Sequence, residues 1–458
     1  MADALDYARS NTERFREELF DFLRIPSVSA RSEHDGDTEK AARWLAERLR
    51  AAGLTSEVIE TPGHPVVLGE WRDAGPEAPT VLIYGHYDVQ PPEPLDLWTS
   101  PPFEPTVREG RIYARGSADD KGQLHMHVKA LESWLQGAGT LPINVVVVAE
   151  GEEEVGSENL APFVEKYRER LACDAVVISD SAMFDEGLPS LLFSLRGLAY
   201  VEVHVRAAKG DLHSGAYGGA VANPAMALAR MLATLHDENG RVTIPGFYDQ
   251  VKEWDADTRS AIAGLPFDEE RFRSGVGAPG LTGEAGFSTL ERLWIRPTCE
   301  VNGLLSGYTG EGAKTVLPAK AMAKVSFRLV PDQDPKRIAR LMEDHLRAVK
   351  PEGVAVEVVE LHGGNPWRAD PSGPLFDAAG RALEQAFGAT PVLVGEGGSI
   401  PIVGDFERIL GAPALLVGFA LPGCNMHAPD EWFTIDNYDR GIGALVRLYD
   451  ELGTSLRG

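Results

Sequence analysis

Four apolar runs in this chain end on acids or histidines, and one helical stretch opens on a pair of aspartates. His86 and Asp88 follow Val81-Leu82-Ile83-Tyr84-Gly85, and Glu150-Gly151-Glu152-Glu153-Glu154 follows Val145-Val146-Val147-Val148-Ala149. Asp180 follows Ala175-Val176-Val177-Ile178-Ser179, and a loop holding His427 follows Ala414-Leu415-Leu416-Val417-Gly418. Asp119 and Asp120 stand in Gly116-Ser117-Ala118-Asp119-Asp120-Lys121-Gly122. Taken singly, each has a plain reading: Asp119 and Asp120 as helix caps, Glu152 to Glu154 as a solvated charge run. Those readings do not explain why four apolar runs end alike, on the side where an open α/β sheet binds ligands. Clustered carboxylates repel unless a cation neutralises them. Two imidazoles with three or more carboxylates, and no thiolate set, suit Zn²⁺, Mn²⁺ or Co²⁺. Cys424 lies three residues before His427 but has no cysteine partner, and is set aside as a ligand.

The elements that must position these groups follow from periodicity. Continuous Val/Ile/Leu runs at 79–85, 143–149 and 175–179 read as strands covered on both faces. Residues 38–52 carry Ala41, Ala42, Trp44, Leu45 and Leu49 at helical spacing and stop at Gly53. Further helical stretches lie near 122–136 and 157–171. This alternation is that of an α/β layer fold. Near residue 190 the pattern changes. Residues 199–206 and 322–329 alternate apolar and polar, as strands with one wet face do. Helices at 222–236 and 335–348, with a strand at 354–360, suggest an antiparallel sheet covered on one side. Residues 240–310 read as long and irregular. After about 365 the α/β style returns, with helices at 374–387, 400–410 and 436–452 and strands at 391–394 and 414–418. The expected organisation is a two-domain α/β protein: a discontinuous α/β domain (1–190 and 363–458) interrupted by an α+β insertion (191–362).

Composition bounds the rest. In 458 residues, 44 Lys+Arg face 69 Asp+Glu, a net charge of −25, which disfavours phosphate backbones and anionic membrane surfaces as partners. Three cysteines are too few and too odd for a disulfide framework. The first residues, Met1-Ala2-Asp3-Ala4-Leu5-Asp6, lack the basic and apolar regions of a secretion signal. The most apolar runs fall far short of the roughly 20 residues of a spanning helix. The reading is a cytoplasmic protein with no nucleic-acid or membrane partner.

Seven motifs, in order and spanning nearly the whole chain, carry a family resemblance. They are Gly85-His86-Tyr87-Asp88-Val89-Gln90-Pro91, Gly116 to Gly122, Glu150 to Ser157, Asp211-Leu212-His213-Ser214-Gly215, Gly312-Ala313-Lys314-Thr315-Val316-Leu317-Pro318, Gly397-Gly398-Ser399-Ile400-Pro401 and Asn425-Met426-His427. The sequence resembles the clan MH metallopeptidases that include carnosinase-type dipeptidases, aminoacylase, glutamate carboxypeptidase and succinyl-diaminopimelate desuccinylase. It is most similar to the dipeptidase branch. The resemblance implies a zinc-peptidase-like catalytic domain and a lid/dimerisation domain, with two divalent ions per subunit. His86 and Asp180 would hold one ion, His427 and Glu154 the other, and Asp119 would bridge them, ahead of a cis peptide bond to Asp120. Asp88 would fix the tautomer of His86; strand alternation places the two on one side. Glu153 would act as general base on a metal-bridging water. His213 would stabilise the oxyanion across a homodimer, and Arg328 would grip the substrate carboxylate. Thr315, His362, Glu396, Gly398 and Ser399 would be further substrate contacts.

Asp rather than Glu at 180 tends, in this family, to accompany dipeptidase or aminopeptidase activity. The expected function is therefore hydrolysis of dipeptides or short peptides with zinc or manganese, cobalt being acceptable. An N-acyl amino acid amidohydrolase using the same centre is the alternative. A silent scaffold would not need Glu153 and five ligands intact. A serine hydrolase is disfavoured, since the Gly397-Gly398-Ser399 run ends in Pro401 rather than in the glycine of a nucleophile elbow.

Overall fold

The computed structural model describes residues 1–398, 400 and 402–457. By its internal contacts the chain divides into two units. One comprises Met1–Phe193, Ala369–Val394 and Ile402–Gly458, the other Ser194–Arg368 and Gly395–Pro401.

The first unit is built on a mixed sheet. Its strands run in the spatial order Thr55–Ile59, Val66–Trp71, Asn144–Glu150, Thr80–His86, Ala175–Ile178, Ala414–Leu416 and Ser190–Leu195. The four central strands, from Asn144–Glu150 to Ala414–Leu416, are mutually parallel. The outer pairings are antiparallel. Because the central strands are parallel, Glu150, His86, Ile178 and Leu416 end on the same edge of the sheet. Helices cover both faces. Tyr84 packs edge-on against Phe406 of the helix Ile402–Leu410, with ring centroids 5.4 Å apart. Its neighbour Gly85 faces the helix Lys121–Glu132, where an added Cβ would come within 3.0 Å of Leu124. Successive residues of one strand thus meet different helices, which is why the run is apolar without alternation.

Every residue of the helix Lys121–Glu132 is buried, its polar ones included. The helices Ala2–Ser10 and Thr12–Leu23, absent from the periodicity reading, supply partners for its lysines and for Glu132. Lys121 Nζ donates to the carbonyls of Phe22 (3.2 Å) and Ile25 (2.6 Å), and Lys129 pairs with Glu18 and Glu132.

The second unit holds a four-stranded antiparallel sheet in the order Thr298–Ser306, Lys320–Leu329, Gly197–Arg206 and Ala355–Gly364. Gly197–Arg206 and Lys320–Leu329 alternate buried and half-exposed positions. The buried set, Val201, Val203, Val205, Ala323, Val325 and Phe327, joins Leu228 and Met231 of Pro224–Leu232 and Ile338, Met342 and Leu346 of Pro335–Val349 in one core. This is the sheet covered on one side that the alternation predicts. The region read as irregular is not structureless. It contains the helices Ala256–Ala263, Glu269–Gly275 and Thr289–Trp294, capped by Asp255, Asp268 and a Ser288–Glu291 capping box. Among the described residues, no helix is long and apolar enough to cross a membrane.

Candidate metal centre

The shared edge of the central strands gathers the acids and imidazoles singled out above. His86 ends its strand fully buried. Its Nε2 lies 3.1 Å from Asp119 Oδ1 and 3.9 Å from Asp180 Oδ2. On the other side of Asp119, Oδ2 lies 2.8 Å from His427 Nε2, which is also 3.3 Å from Glu154 Oε2. Two groups of three donors result, His86–Asp119–Asp180 and Asp119–Glu154–His427. Within each group the donor atoms lie within 4.8 Å of one another. Asp119 belongs to both, with a different oxygen turned to each imidazole. The Asp119–Asp120 peptide bond is cis.

Supporting contacts fix the donors. His86 Nδ1 faces the Asp88 backbone carbonyl at 3.2 Å and its carboxylate at 3.3 Å, leaving Nε2 for the cluster. The Asp88 carboxylate also accepts from Ser29 Oγ (2.6 Å) and from the backbone N–H groups of Glu153 (3.3 Å) and Glu154 (3.1 Å). It therefore ties the short turn Glu153–Val155 to the His86 strand. Gln90 Nε2 donates to Glu154 Oε2 at 2.8 Å. Glu152 turns away and accepts from Asn159, so the acidic run is not one functional unit.

The electrostatics match a cation site. Burial, then repulsion from Asp180, Glu154 and Asp119, holds the Glu153 carboxyl well above the ordinary range, against the pull of His86. Burial and Asp119 push Glu154 up to about 9. The same two causes take Asp180 to about 6. Burial acts in the same direction on Asp119, but hydrogen bonds from His427 and His86 outweigh it and lower its pKa. Carboxylates driven to hold protons in this way are groups that a divalent cation would neutralise. The donor set, imidazole nitrogen with carboxylate oxygen, is one that zinc, manganese and cobalt accept.

The remaining expected residues among those described lie in the second unit. His213 is exposed and pairs in register with Val316, beside exposed Thr315, whose carbonyl accepts from Ser214 N–H at 3.1 Å. Arg328 is half-buried on Lys320–Leu329, its guanidinium pKa lowered by burial against the opposing influence of Glu396. Glu396 Oε1 accepts from Gly397 N–H at 2.9 Å and is 3.5 Å from Gly398 N. His362 is exposed and packs edge-on against Tyr200, centroids 5.2 Å apart. Ser399 lies outside the described residues. Two roles not anticipated from the sequence also appear, and Asp120, read as a helix cap, makes no side-chain cap bond. Asp120 Oδ2 accepts from His86 N–H at 3.2 Å, and Glu431, fully buried, accepts from Arg115 and three backbone N–H groups. The available signal for Glu431 was an acid four positions after His427.

An open α/β sheet whose parallel strands end on this cluster is a metallopeptidase's fold and site, and relatives agree. The Cys-Gly metallodipeptidase dug1 of Schizosaccharomyces pombe is 34% identical over 448 residues, 94% of each chain. The M20 family metallo-carboxypeptidase Sso-CP2 of Sulfolobus solfataricus superposes with a TM-score of 0.87 at 34% identity, covering 96% of this chain and 99% of that one. The di-peptidase Dug1p of Saccharomyces cerevisiae superposes with a TM-score of 0.86 at 28% identity, covering 99% and 98%. The chain belongs to peptidase family M20/M25/M40, whose model matches residues 82–451.

Proposed function

We propose that this metallopeptidase is a dipeptidase that uses two divalent ions, zinc or manganese with cobalt also accepted. His86 and Asp180 would hold one ion, His427 and Glu154 the other, and Asp119 both. The observation that carries this reading is the sharing of Asp119, whose two oxygens face two imidazoles, each backed by a further carboxylate. The names of the relatives, two of them dipeptidases, support the substrate class.

Bound there, the ions would polarise the scissile carbonyl and lower the pKa of water. The chain's own residues do the rest. Glu153, with its pKa raised mainly by burial, is suited to take a proton from the attacking water and deliver it to the leaving amine. Asp88 holds the Glu153–Glu154 turn and the His86 ring together, so that the base and one ligand keep a fixed relation. Arg328 would bind the substrate carboxylate as a fork, and Glu396 its amine. His213, exposed on its short strand, would serve the oxyanion of a second copy in a homodimer. Thr315, His362, Gly398 and Ser399 would add contacts to the substrate.

The test is metal content and hydrolysis measured on one sample. Two ions per chain, with dipeptides cleaved faster than N-acetyl amino acids, are expected. Preference for the N-acetyl amino acids would replace the reading by the amidohydrolase one. A stoichiometry near zero without hydrolysis would end both.

A further inference from the structure

We infer that Glu431 is a positioning residue that sets two of the proposed ligands, Asp119 and His427, in register with each other. The inference rests on the assignment of those two residues to the metal centre. Glu431 is 0% exposed and lies more than 300 residues from the segment it grips. Its Oε1 accepts from the backbone N–H groups of Ala118 (2.8 Å) and Asp119 (3.2 Å). Its Oε2 accepts from Gly116 N–H (3.0 Å) and Arg115 Nη1 (2.7 Å). Its backbone carbonyl accepts from Ala114 N–H at 3.1 Å, continuing the pairing of Trp432–Thr434 with Arg111–Tyr113. Four donors saturate an ionised carboxylate. One side chain therefore satisfies most of the turn that delivers Asp119.

The same residue closes the loop that delivers His427. That loop is closed by its own hydrogen bonds, Ala428 N–H to the Asn425 carbonyl (2.9 Å) and Asn425 Nδ2 to the Asp430 carbonyl (3.3 Å), and by anchoring at its end. Asn425, His427 and Asp430 all have left-handed backbones, with φ of 59°, 60° and 57°. Such conformations are uncommon outside glycine, although Asn, His and Asp adopt them more readily than other residues, and the surroundings hold them here. The anchoring contacts come from the loop's end. The Asp430 carboxylate accepts from Thr99 N–H (2.9 Å) and Thr99 Oγ1 (2.6 Å), and Glu431 holds 115–119. His427 is thus carried just ahead of two adjacent anchors, and one of them is also the anchor of Asp119. The 2.8 Å approach of His427 Nε2 to Asp119 Oδ2 follows from that shared attachment.

A purely structural role would cost stability without touching metal affinity, and the two roles separate experimentally. Glu431→Gln keeps the shape but replaces acceptors with an amide donor facing backbone N–H groups. Titrated calorimetrically with Mn²⁺, the wild-type chain should bind two ions. Glu431→Gln should bind both roughly 10- to 100-fold more weakly, the usual consequence of losing a partner behind a ligand, and both together because Asp119 is shared. Glu284→Gln is the control. It breaks a buried pair with Arg296 (2.7 Å) in the second unit and should lower the melting temperature with no change in Mn²⁺ affinity. Unchanged affinity in folded Glu431→Gln, or equal weakening in both variants, overturns the inference. A wild-type chain that binds no Mn²⁺ overturns the ligand assignment and the inference with it. Should Glu431→Gln fail to fold, hydrogen exchange of residues 115–119 in the chelated wild type decides. Protection without metal supports the inference; protection only with metal overturns it.

Discussion

Asp119 stands between two histidines with one carboxylate oxygen for each, and its own burial opposes the charge it must carry. The neighbouring Glu153 has the opposite tendency: burial and nearby acids favour its protonated form. Two carboxylates in one cluster thus lean in opposite directions, Asp119 towards the anion and Glu153 towards the protonated form, the separation that the proposed role of Glu153 calls for. Glu153→Ala should retain both metal ions and near-normal KM but lose roughly 10²–10⁴-fold in kcat. Metal analysis and steady-state kinetics on the same preparation check this, and a near-normal kcat would reassign the base. The donors were legible in the sequence because four apolar runs end alike on acids or histidines, a coincidence that single caps and solvated turns do not explain. Glu431 was not. Most of what it touches is backbone N–H of a segment far away in the chain, and an acid four positions after His427 does not by itself reveal such contacts.

At the scale of elements, the parallel central strands were readable from their unbroken apolar runs, and the insertion sheet from its alternation. The helix Lys121–Glu132 was readable as a helix but not as a fully buried one. Its lysines, histidines and glutamate look solvated in sequence; the helices Ala2–Ser10 and Thr12–Leu23, which carry no strong motif, cover its lysines and glutamate, and Tyr438 and Tyr449 of the helix Ile435–Ser455 meet its histidines. Burial of this kind makes His127 an acid-sensitive point. Its ring lies 2.7 Å from Tyr449 Oη and 2.8 Å from Ser179 Oγ. Burial takes its pKa down to about 3 from the ordinary 6.5. The unfolded chain therefore takes up the proton first, and the neutral ring's contribution is complete above pH 6.5. It is lost progressively as the pH falls towards 3, by a few kcal/mol at most. His127→Gln should cost about 1 kcal/mol or more at neutral pH through the altered hydrogen bonds. Its stability should fall less than the wild type's between pH 6.5 and 4.5. Urea unfolding at several pH values measures the two slopes, and parallel slopes would remove His127 from the acid response.

For the whole molecule, the net charge of −25 has two parts with different consequences. Most of it coats the surface and is screened by salt. The part formed by Asp119, Glu153, Glu154 and Asp180 is packed at one sheet edge, where burial keeps the repulsion from being screened. All five proposed ligands belong to the first unit, whereas the second has a core of its own in Gly197–Arg206, Lys320–Leu329 and the two helices against them. A ligand that binds only the folded state stabilises what it binds, by about 2.7 kcal/mol per site at a hundredfold excess over Kd. Stripping metal with a chelator should therefore abolish hydrolysis and raise hydrogen exchange in Thr80–His86, Asn144–Glu150 and the segment around Asp180, while residues 115–119 keep the protection that Glu431 gives them. Exchange in the core strands of the second unit should stay unchanged. Restoring Mn²⁺ or Zn²⁺ should reverse the first-unit effect alone. Equal loss of protection in both units on chelation would mean that metal stabilises the chain as one cooperative body. No effect in either would remove the reason for clustering these acids where water cannot screen them.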